Sequence, residues 1–312
     1  MPTGRFAPSP TGPLHVGNLR TAVLAWLFAR SAGARFLLRI EDLDPVAARD
    51  EHAESHAADL AALGIDWDGA VVRQSDRTDR YAAMLDRLAA DGALYPCYCT
   101  RREIRAAVRA PHGPSPDGAY PGTCRDLSAA ERSAREAAGR RPSWRVHAGG
   151  ERVAVVDRLR GRVEGVIDDF VVWRADGAPA YQLAVVVDDD EQGVGEVVRG
   201  DDLLETTPRQ VWLARRLGLR VPAYAHVPLV LGPDGRRLAK RHGAVTLADL
   251  RERGAGPPDV LGAVAASLGL AEPAGRVGSV AELVDRFDPD RLPAAPWRFD
   301  PGAVGDRRSA GV

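Results

Sequence analysis

The sequence has very little lysine. Lys240 is the only one among 312 residues, and arginine supplies the rest of the 42 basic side chains. Neither charge is in excess, because 43 acidic residues bring the formal net charge to −1. A protein that binds nucleic acid mainly through bulk electrostatics would be strongly basic. Any RNA-binding surface must therefore be a local patch.

Cysteine is scarce too, and long apolar runs are missing. Three cysteines and no signal-peptide pattern argue against a secreted disulfide scaffold. No apolar run approaches the roughly 20 residues of a membrane-spanning helix, and the run 183–187 is interpreted as a buried strand. We therefore expect a cytoplasmic protein with no membrane contact and, from its length, two or three structural units.

The first part of the chain alternates between strand and helix patterns. Residues 5–9 begin as a short strand, a helix pattern follows from Gly17, and the apolar run 35–40 predicts the next strand. Asp44, followed by a proline, predicts the start of a second helix. This succession predicts an α/β fold with a doubly wound parallel sheet, in which ligands bind at the carboxyl ends of the strands.

The remaining patterns divide the chain into four predicted segments. Residues 1–85 form the first half of the sheet, 86–175 an insertion, 176–245 the second half, and 246–312 a helical region. The second half is predicted to resume with a strand over 181–187. The tail beyond Phe299 is predicted to be disordered.

Two short segments are suited to binding phosphate. In the first, 13–18 (PLHVGN), a glycine that opens a helix lets backbone N–H groups and the His15 imidazole approach a polyphosphate. The helix N-terminus adds roughly half a positive charge. In the second, 237–241 (RLAKR), Lys240 follows a turn and supplies positive charge where negative charge builds up. The alternatives are a surface histidine and a solvated lysine.

All three cysteines fall within one stretch of the predicted insertion, at Cys97, Cys99 and Cys124. Thiolates at this spacing suit tetrahedral zinc, which needs a fourth ligand. His112 is the ordinary choice for that ligand on chemical grounds, and three unrelated buried thiols are the alternative interpretation. Structural zinc contributes roughly 10–16 kcal/mol of apparent binding free energy, enough to order a loop-rich insertion.

The two phosphate segments, in this order, resemble the HIGH and KMSKS signatures of class I aminoacyl-tRNA synthetases. Arg237 stands where the second signature usually has its first lysine, and Ala239 stands where it has a serine. Other segments resemble the catalytic half of glutamyl-tRNA synthetases, over most of residues 3–245. They are 5–12 (RFAPSPTG), 39–42 (RIED), Tyr181 and 199–204 (RGDDLL).

The resemblance implies a glutamate site. By it, Arg5, Tyr181 and Arg199 hold the two carboxylates, Glu41 receives the ammonium group, and Ser9 helps to orient the amino acid. Planar arginine donors suit a dicarboxylate, since each charged hydrogen bond contributes roughly 1.5–3 kcal/mol. They also discriminate against glutamine, whose neutral amide gives arginine no ionic partner. The alternative for the two arginines is a structural ion pair.

The resemblance also implies an ATP site with Mg²⁺, in which His15 and Lys240 are catalytic. The residues expected to contact ATP are Pro8, His15, Gly17, Asn18, Arg237 and Lys240.

One branch of this family is closer still. A tyrosine in the spacing Cys-x-Cys…Tyr-x-x-x-Cys resembles the short relatives called glutamyl-queuosine tRNA(Asp) synthetases, which makes Tyr120 the fourth ligand of one structural zinc. The chain stops soon after Phe299, so no anticodon-binding domain is expected. Members of this family activate glutamate without tRNA and esterify it to the cyclopentene diol of queuosine in the anticodon of tRNA(Asp). The resemblance thus implies a monomeric enzyme whose partners are ATP, L-glutamate and the queuosine-bearing anticodon stem-loop of tRNA(Asp).

Three other functions are compatible with parts of the sequence. A minimal glutamyl-tRNA synthetase would charge the 3′ end of tRNA(Glu). A non-enzymatic paralogue would bind glutamate, ATP or RNA as a regulator, and Ala239 is the feature that favours it. A small-molecule nucleotidylyltransferase would share the histidine–glycine segment, but the segments around Tyr181 and Arg199 disfavour it.

Overall fold

The computed structural model describes residues 3–108, 120–236, 238, 245–273 and 275–304. In chain order, the strands are β1 (Gly4–Phe6), β2 (Phe36–Ile40), β3 (Val72–Arg73), β4 (Leu94–Cys97), β5 (Ser143–Val146), β6 (Arg152–Asp157), β7 (Gly161–Val166), β8 (Val171–Trp173), β9 (Glu196–Gly200), β10 (Ala223–Val227), β11 (Val230–Leu231) and β12 (Trp297–Arg298).

The α-helices are α1 (Val16–Ser31), α2 (Asp50–Ala62), α3 (Thr78–Ala90), α4 (Arg101–Val108), α5 (Ala129–Ala137), α6 (Tyr181–Glu191), α7 (Thr207–Leu217), α8 (Leu247–Glu252) and α9 (Pro257–Ser267). Short 3₁₀ segments, including Val280–Arg286, connect several of them. No helix within these described ranges is both long enough and apolar enough to cross a membrane.

The predicted α/β fold with parallel strands is confirmed. Strands β1, β2 and β3 pair in that order, all parallel. Helix α1 connects β1 to β2 and is buried along most of its length, because its apolar residues cover almost the whole circumference. Strands β6, β10 and β9 form a second parallel set, and β7 joins its edge as an antiparallel hairpin with β6.

A third, antiparallel sheet carries the first cysteine. Its order is β4-β5-β8, and Cys97 ends β4. The two helices that follow begin at capping boxes. Thr100 and Glu103 exchange side-chain-to-backbone hydrogen bonds, as do Ser128 and Glu131. The four segment boundaries stay a prediction. Strands β6 and β7 lie within the predicted insertion, but they belong to the same sheet as β10, because β6 pairs with both β7 and β10.

The predicted strand over residues 181–187 is wrong, because this stretch forms the first turns of helix α6. Residues 183–189 are buried without a break. A short, uniformly apolar run has the same appearance in a buried strand and in a buried helix, since neither shows a solvent face. The helix continues through Asp188 and Asp189 and carries both carboxylates into the protein interior.

The predicted helix start at Asp44 is also wrong. The Asp44 carboxylate accepts the N–H groups of Val46 and Ala47 and so stabilises a turn. Helix α2 begins only at Asp50, and it ends before Gly64, whose φ of +78° favours glycine. An aspartate that caps a turn gives the same sequence signal as one that caps a helix.

The chain after Phe299 is ordered as far as the structure describes it, which corrects the predicted disorder over 300–304. Strand β12 pairs with β11, and the Phe299 N–H donates to the Leu231 carbonyl at 2.8 Å. Phe299 is 1 % exposed and packs edge-on against Trp297. The last described residue, Val304, is buried as well. Burial of these apolar side chains stabilises the packing of the segment beside β11.

Candidate active site and thiol cluster

A cavity of about 510 Å³ lies where β1, β2 and β9 end. That is the edge at which parallel strands in α/β folds present their ligand-binding loops. Eight of the predicted site residues line it: Pro8, Ser9, His15, Gly17, Asn18, Glu41, Tyr181 and Arg199. Arg5 is not among the described residues of the lining. Arg237 and Lys240 lie outside the described residues, so their predicted contacts with ATP stay predictions.

His15 is the N-cap of α1, and its hydrogen bonds determine which ring nitrogen carries the proton. Its Nδ1 accepts the Asn18 N–H at 3.3 Å, while the Asn18 side chain accepts the His15 N–H. In a neutral ring the proton is then on Nε2, which makes that nitrogen a hydrogen-bond donor. A Cβ at Gly17 would lie 2.9 Å from the His15 ring, so only glycine leaves the imidazole in place.

The segment that contains Lys240 is anchored at both of its described flanks. Before it, Leu238 lines the cavity, and its N–H donates to the Val230 carbonyl. After it, the Val245 carbonyl accepts the Val16 N–H at 2.9 Å, in the first turn of α1. The nearest described residues on either side of Lys240 therefore lie at the cavity and at the first turn of α1.

Glu41 and Tyr181 form another part of the cavity wall. Burial raises the pKa of Glu41 above its usual value, although Arg39 donates to its Oε1 at 3.2 Å and acts in the opposite direction. A desolvated carboxylate of this kind gains by binding a cation such as an ammonium group. Burial, with the charge of Glu41, also raises the pKa of Tyr181, so its phenol stays a neutral donor.

Arg199 presents one unused donor. Its Nε donates to His226 Nε2 at 3.0 Å, and its Nη2 donates to the Thr207 hydroxyl at 2.9 Å. Its Nη1 is buried and has no hydrogen-bond partner among the described residues. Since leaving a buried charged donor unpaired is costly, the cavity at Arg199 is prepared for an anionic acceptor.

Arg5 is held behind this wall. Its guanidinium contacts both carboxylate oxygens of Asp189, at 3.3 and 3.4 Å. The same carboxylate accepts Arg39 at 2.8 Å. Burial would raise the pKa of Asp189, but the two arginines lower it below its usual value. The structural ion pair that the sequence left as an alternative for Arg5 is therefore present.

Several residues at or behind the cavity were not predicted. His56 lines it, and its Nε2 donates to the Gly12 carbonyl at 2.8 Å, which holds the loop after β1. Arg39, Asp157 and His226 are buried behind it. Only Arg39 carries a sequence signal, since a charge within the apolar run 35–40 requires a buried counter-charge.

The three predicted thiols come together. The Sγ atoms of Cys97, Cys99 and Cys124 all lie within 4.8 Å of one another and could hold a metal ion. The Tyr120 hydroxyl is 3.3 Å from Cys97 Sγ and 3.7 Å from Cys99 Sγ. The Arg145 guanidinium lies 3.8 Å from the centre of the Tyr120 ring and holds the phenol beside the sulfur atoms. The three thiols and the phenol are four donor groups, the number that a tetrahedral ion requires.

His112, the alternative fourth ligand, lies outside the described residues. The spacing of the cysteines thus predicted the cluster correctly. The hydroxyl of Tyr120, which the resemblance implies as the fourth ligand, contacts two of the thiols, and its role as a ligand stays a prediction.

Comparison with known proteins places almost the whole chain in one family. Residues 3–302 match the family model for the catalytic domain of class I tRNA synthetases (E and Q). A Glutamyl-Q tRNA(Asp) synthetase from Nocardia farcinica is 59% identical over 294 residues, which cover 94% of this chain and 92% of that protein. A protein of the same name from Symbiobacterium thermophilum is 52% identical over 311 residues, covering 96% of each chain.

A solved structure supports the same assignment. The crystal structure of a glutamate tRNA ligase from Elizabethkingia meningosepticum, in complex with its amino acid, superimposes with a TM-score of 0.80 at 28% identity. The match covers 96% of this chain and 67% of that chain. The family model, the relatives and the fold agree, and the chain belongs to the class I tRNA synthetases for glutamate and glutamine.

Proposed function

We propose that the protein activates glutamate with ATP, without tRNA, and transfers it to the queuosine cyclopentene diol at the first anticodon position of tRNA(Asp). The main support for the activation step is that His15, Glu41 and Arg199 all line one cavity. The relatives at 59% and 52% identity, whose name specifies tRNA(Asp), support the acceptor.

Glutamate binds with its ammonium group at Glu41 and a carboxylate at Nη1 of Arg199. Tyr181 lines the same cavity and donates from its phenol, and Ser9 orients the amino acid. Arg5 supplies positive charge from behind, where it shares Asp189 with Arg39. Glutamine would leave the donor at Arg199 facing a neutral amide, which weakens binding.

In the first step, an oxygen of the glutamate α-carboxylate forms a bond to the α-phosphorus of ATP. The bond between that phosphorus and the bridging oxygen to the β-phosphate breaks, and pyrophosphate leaves with its electron pair. The His15 Nε2–H, the N-terminus of α1 and Lys240 stabilise the charge that develops on the phosphate oxygens. Mg²⁺ accompanies ATP, and Pro8, Gly17, Asn18 and Arg237 bind the nucleotide.

In the second step, a hydroxyl oxygen of queuosine forms an ester bond to the carbonyl carbon of the glutamyl-adenylate. The bond from that carbon to the phosphate oxygen breaks, AMP leaves with the electron pair, and the hydroxyl proton is released to solvent. The adenylate is already activated, so positioning of the hydroxyl supplies most of the acceleration. The protein holds an unstacked anticodon base for this purpose, as proteins that read single-stranded RNA do.

We further propose that the cluster of Cys97, Cys99, Cys124 and Tyr120 binds one structural zinc ion. Zinc accepts thiolate ligands in tetrahedral geometry and would hold the end of β4 to the segment around Tyr120. Metal analysis of the purified protein, compared with the variant Cys99→Ala, tests this assignment. About one equivalent of zinc is expected in the parent protein and little in the variant.

The function is tested in two stages. Glutamate-dependent exchange of pyrophosphate into ATP, measured without tRNA, tests activation; no exchange with glutamate would refute it. Labelled glutamate is then offered with tRNA(Asp) that contains or lacks queuosine. Label should attach only to the modified tRNA. A single size-exclusion peak with an apparent mass near 33.4 kDa would support the proposed monomer. We infer a cytoplasmic location, because tRNA and ATP are used there.

A minimal glutamyl-tRNA synthetase is the second candidate, and the structural likeness to a glutamate tRNA ligase favours it. Efficient charging of unmodified tRNA(Glu) at the 3′ end would identify this function. That result, with no label on tRNA(Asp), would replace the proposed acceptor while leaving the activation step intact.

A further inference from the structure

Three buried side chains form a chain of hydrogen bonds across neighbouring strands, and one of them, Arg199, lines the cavity. Asp157 ends β6, His226 lies on β10, and Arg199 lies on β9; these strands are adjacent in the order β6-β10-β9. Asp157 Oδ2 is 2.6 Å from His226 Nδ1, and His226 Nε2 is 3.0 Å from Arg199 Nε. All three side chains are at most 5 % exposed.

The direction of these bonds follows from what each atom can donate. A carboxylate only accepts, so the proton of the neutral imidazole is on Nδ1. Nε2 then has a lone pair and accepts from Arg199, which can only donate. Asp157 is itself held by the backbone N–H groups of Leu159, Arg160 and His226.

The surroundings preserve this protonation state. Burial, followed by the nearby charge of Arg199, lowers the pKa of His226 below its usual value, although Asp157 acts in the opposite direction. The imidazole also stacks on Tyr224 at 6.0 Å, and the Arg199 guanidinium carbon lies 5.4 Å from the centre of the same ring. The ring can therefore neither rotate freely nor take up a second proton easily.

We propose that His226, whose tautomer is set by Asp157, is the positioning residue that sets the glutamate affinity of the site through Arg199. With Nε held by His226 and Nη2 held by Thr207, the guanidinium plane is fixed, and Nη1 is the donor left for a substrate carboxylate. Without the acceptor at His226, Arg199 can rotate, and its alignment with the carboxylate is lost. This inference rests on the proposed glutamate site.

The test compares two variants of His226, each of which can replace only one of the two hydrogen-bonding nitrogen atoms of the imidazole. His226→Gln can present an amide oxygen near the position of Nε2 and so retain the acceptor for Arg199. His226→Asn places its amide near Nδ1, which retains the bond to Asp157 but leaves Arg199 Nε without an acceptor. Pyrophosphate exchange is measured with glutamate varied at saturating ATP, and with ATP varied at saturating glutamate.

We expect His226→Asn to raise the KM for glutamate roughly 10- to 100-fold, as for one misaligned charged hydrogen bond. His226→Gln should stay near the parent value, and the KM for ATP should not change in either variant. Equal KM values for glutamate in the parent protein and both variants would overturn the proposal. So would parallel losses for glutamate and ATP, since these indicate a merely structural residue.

A second measurement uses the parent protein and does not depend on how the variants fold. The ¹⁵N chemical shifts of the assigned His226 imidazole should show a protonated Nδ1 and a bare Nε2, with and without glutamate. A proton on Nε2 would refute the proposal. Absence of glutamate-dependent exchange in the parent protein is a different result, because it refutes the proposed function itself.

Discussion

Replacement of Arg39 by methionine tests the buried charge cluster behind the cavity. Arg39 is completely buried and donates to Asp189 at 2.8 Å, to Gln192 at 2.8 Å and to Glu41 at 3.2 Å. Methionine fills much of the volume but leaves Asp189 and Glu41 without this partner. Removal of one member of a buried ion pair costs about 3–5 kcal/mol, and we expect a loss of that size in the free energy of unfolding at pH 7.

The stability difference between the parent protein and Arg39→Met should depend on pH in a defined direction. In the parent protein the pKa of Asp189 is lowered, so its contribution is present above its ordinary pKa and is lost as the pH falls through the lowered value. In Arg39→Met the carboxylates lose a positive neighbour and their pKa values rise. The folded variant then binds more protons than the unfolded chain, so acidification from pH 7 towards pH 5 stabilises the variant relative to the parent.

Urea unfolding of both proteins at pH 7 and pH 5 measures the effect. The matched control is Arg152→Met, which removes an arginine whose side chain is 72% exposed beside Glu164; we expect no measurable change there. A loss below about 1 kcal/mol at pH 7 for Arg39→Met, or a difference that widens on acidification, would contradict the assigned charges.

Four further predictions follow from the site and the fold. Arg199→Ala should raise the KM for glutamate at least roughly 10-fold in pyrophosphate exchange, without changing the KM for ATP. Phe299→Ala should lower the free energy of unfolding by about 3–5 kcal/mol, because it leaves a cavity beside Trp297. Cys124→Ser should lose most of its bound zinc in metal analysis. The lowered pKa of His226 stabilises the folded state above its ordinary pKa, so the parent should lose stability relative to His226→Gln as the pH falls below about 6.5.

Each of these has a clear contrary result. An unchanged KM for glutamate would remove Arg199 from the site, and a loss under about 1 kcal/mol for Phe299→Ala would show that the C-terminal segment is not part of the core. Full zinc content in Cys124→Ser would exclude that thiol as a ligand. A stability difference for His226→Gln that is constant with pH would show that the imidazole titrates alike in the folded and unfolded chains.

Features that depend on residues close together in the sequence were predictable. The position of His15 and Gly17 at the start of a helix and the position of Glu41 directly after β2 follow from local patterns of a few residues. The three cysteines indicated a metal cluster because they lie within one short stretch. The apolar run 183–187 shows the limit of this approach, since α6 and a buried strand bury the same residues.

The sequence by itself determined which chemical groups are available: one histidine at a helix start, three neighbouring thiols, and arginines and carboxylates in apolar surroundings. Only the tertiary structure decided how the charges pair. Arg5 contacts Asp189 across 184 positions, and Asp157 contacts His226 across 69. No local pattern encodes such separations, because several buried carboxylates could serve each arginine. Tertiary packing selects Asp189 on α6 for Arg5. It also places His226 and Thr207 against Nε and Nη2 of Arg199, so that Nη1 is left without a partner among the described residues.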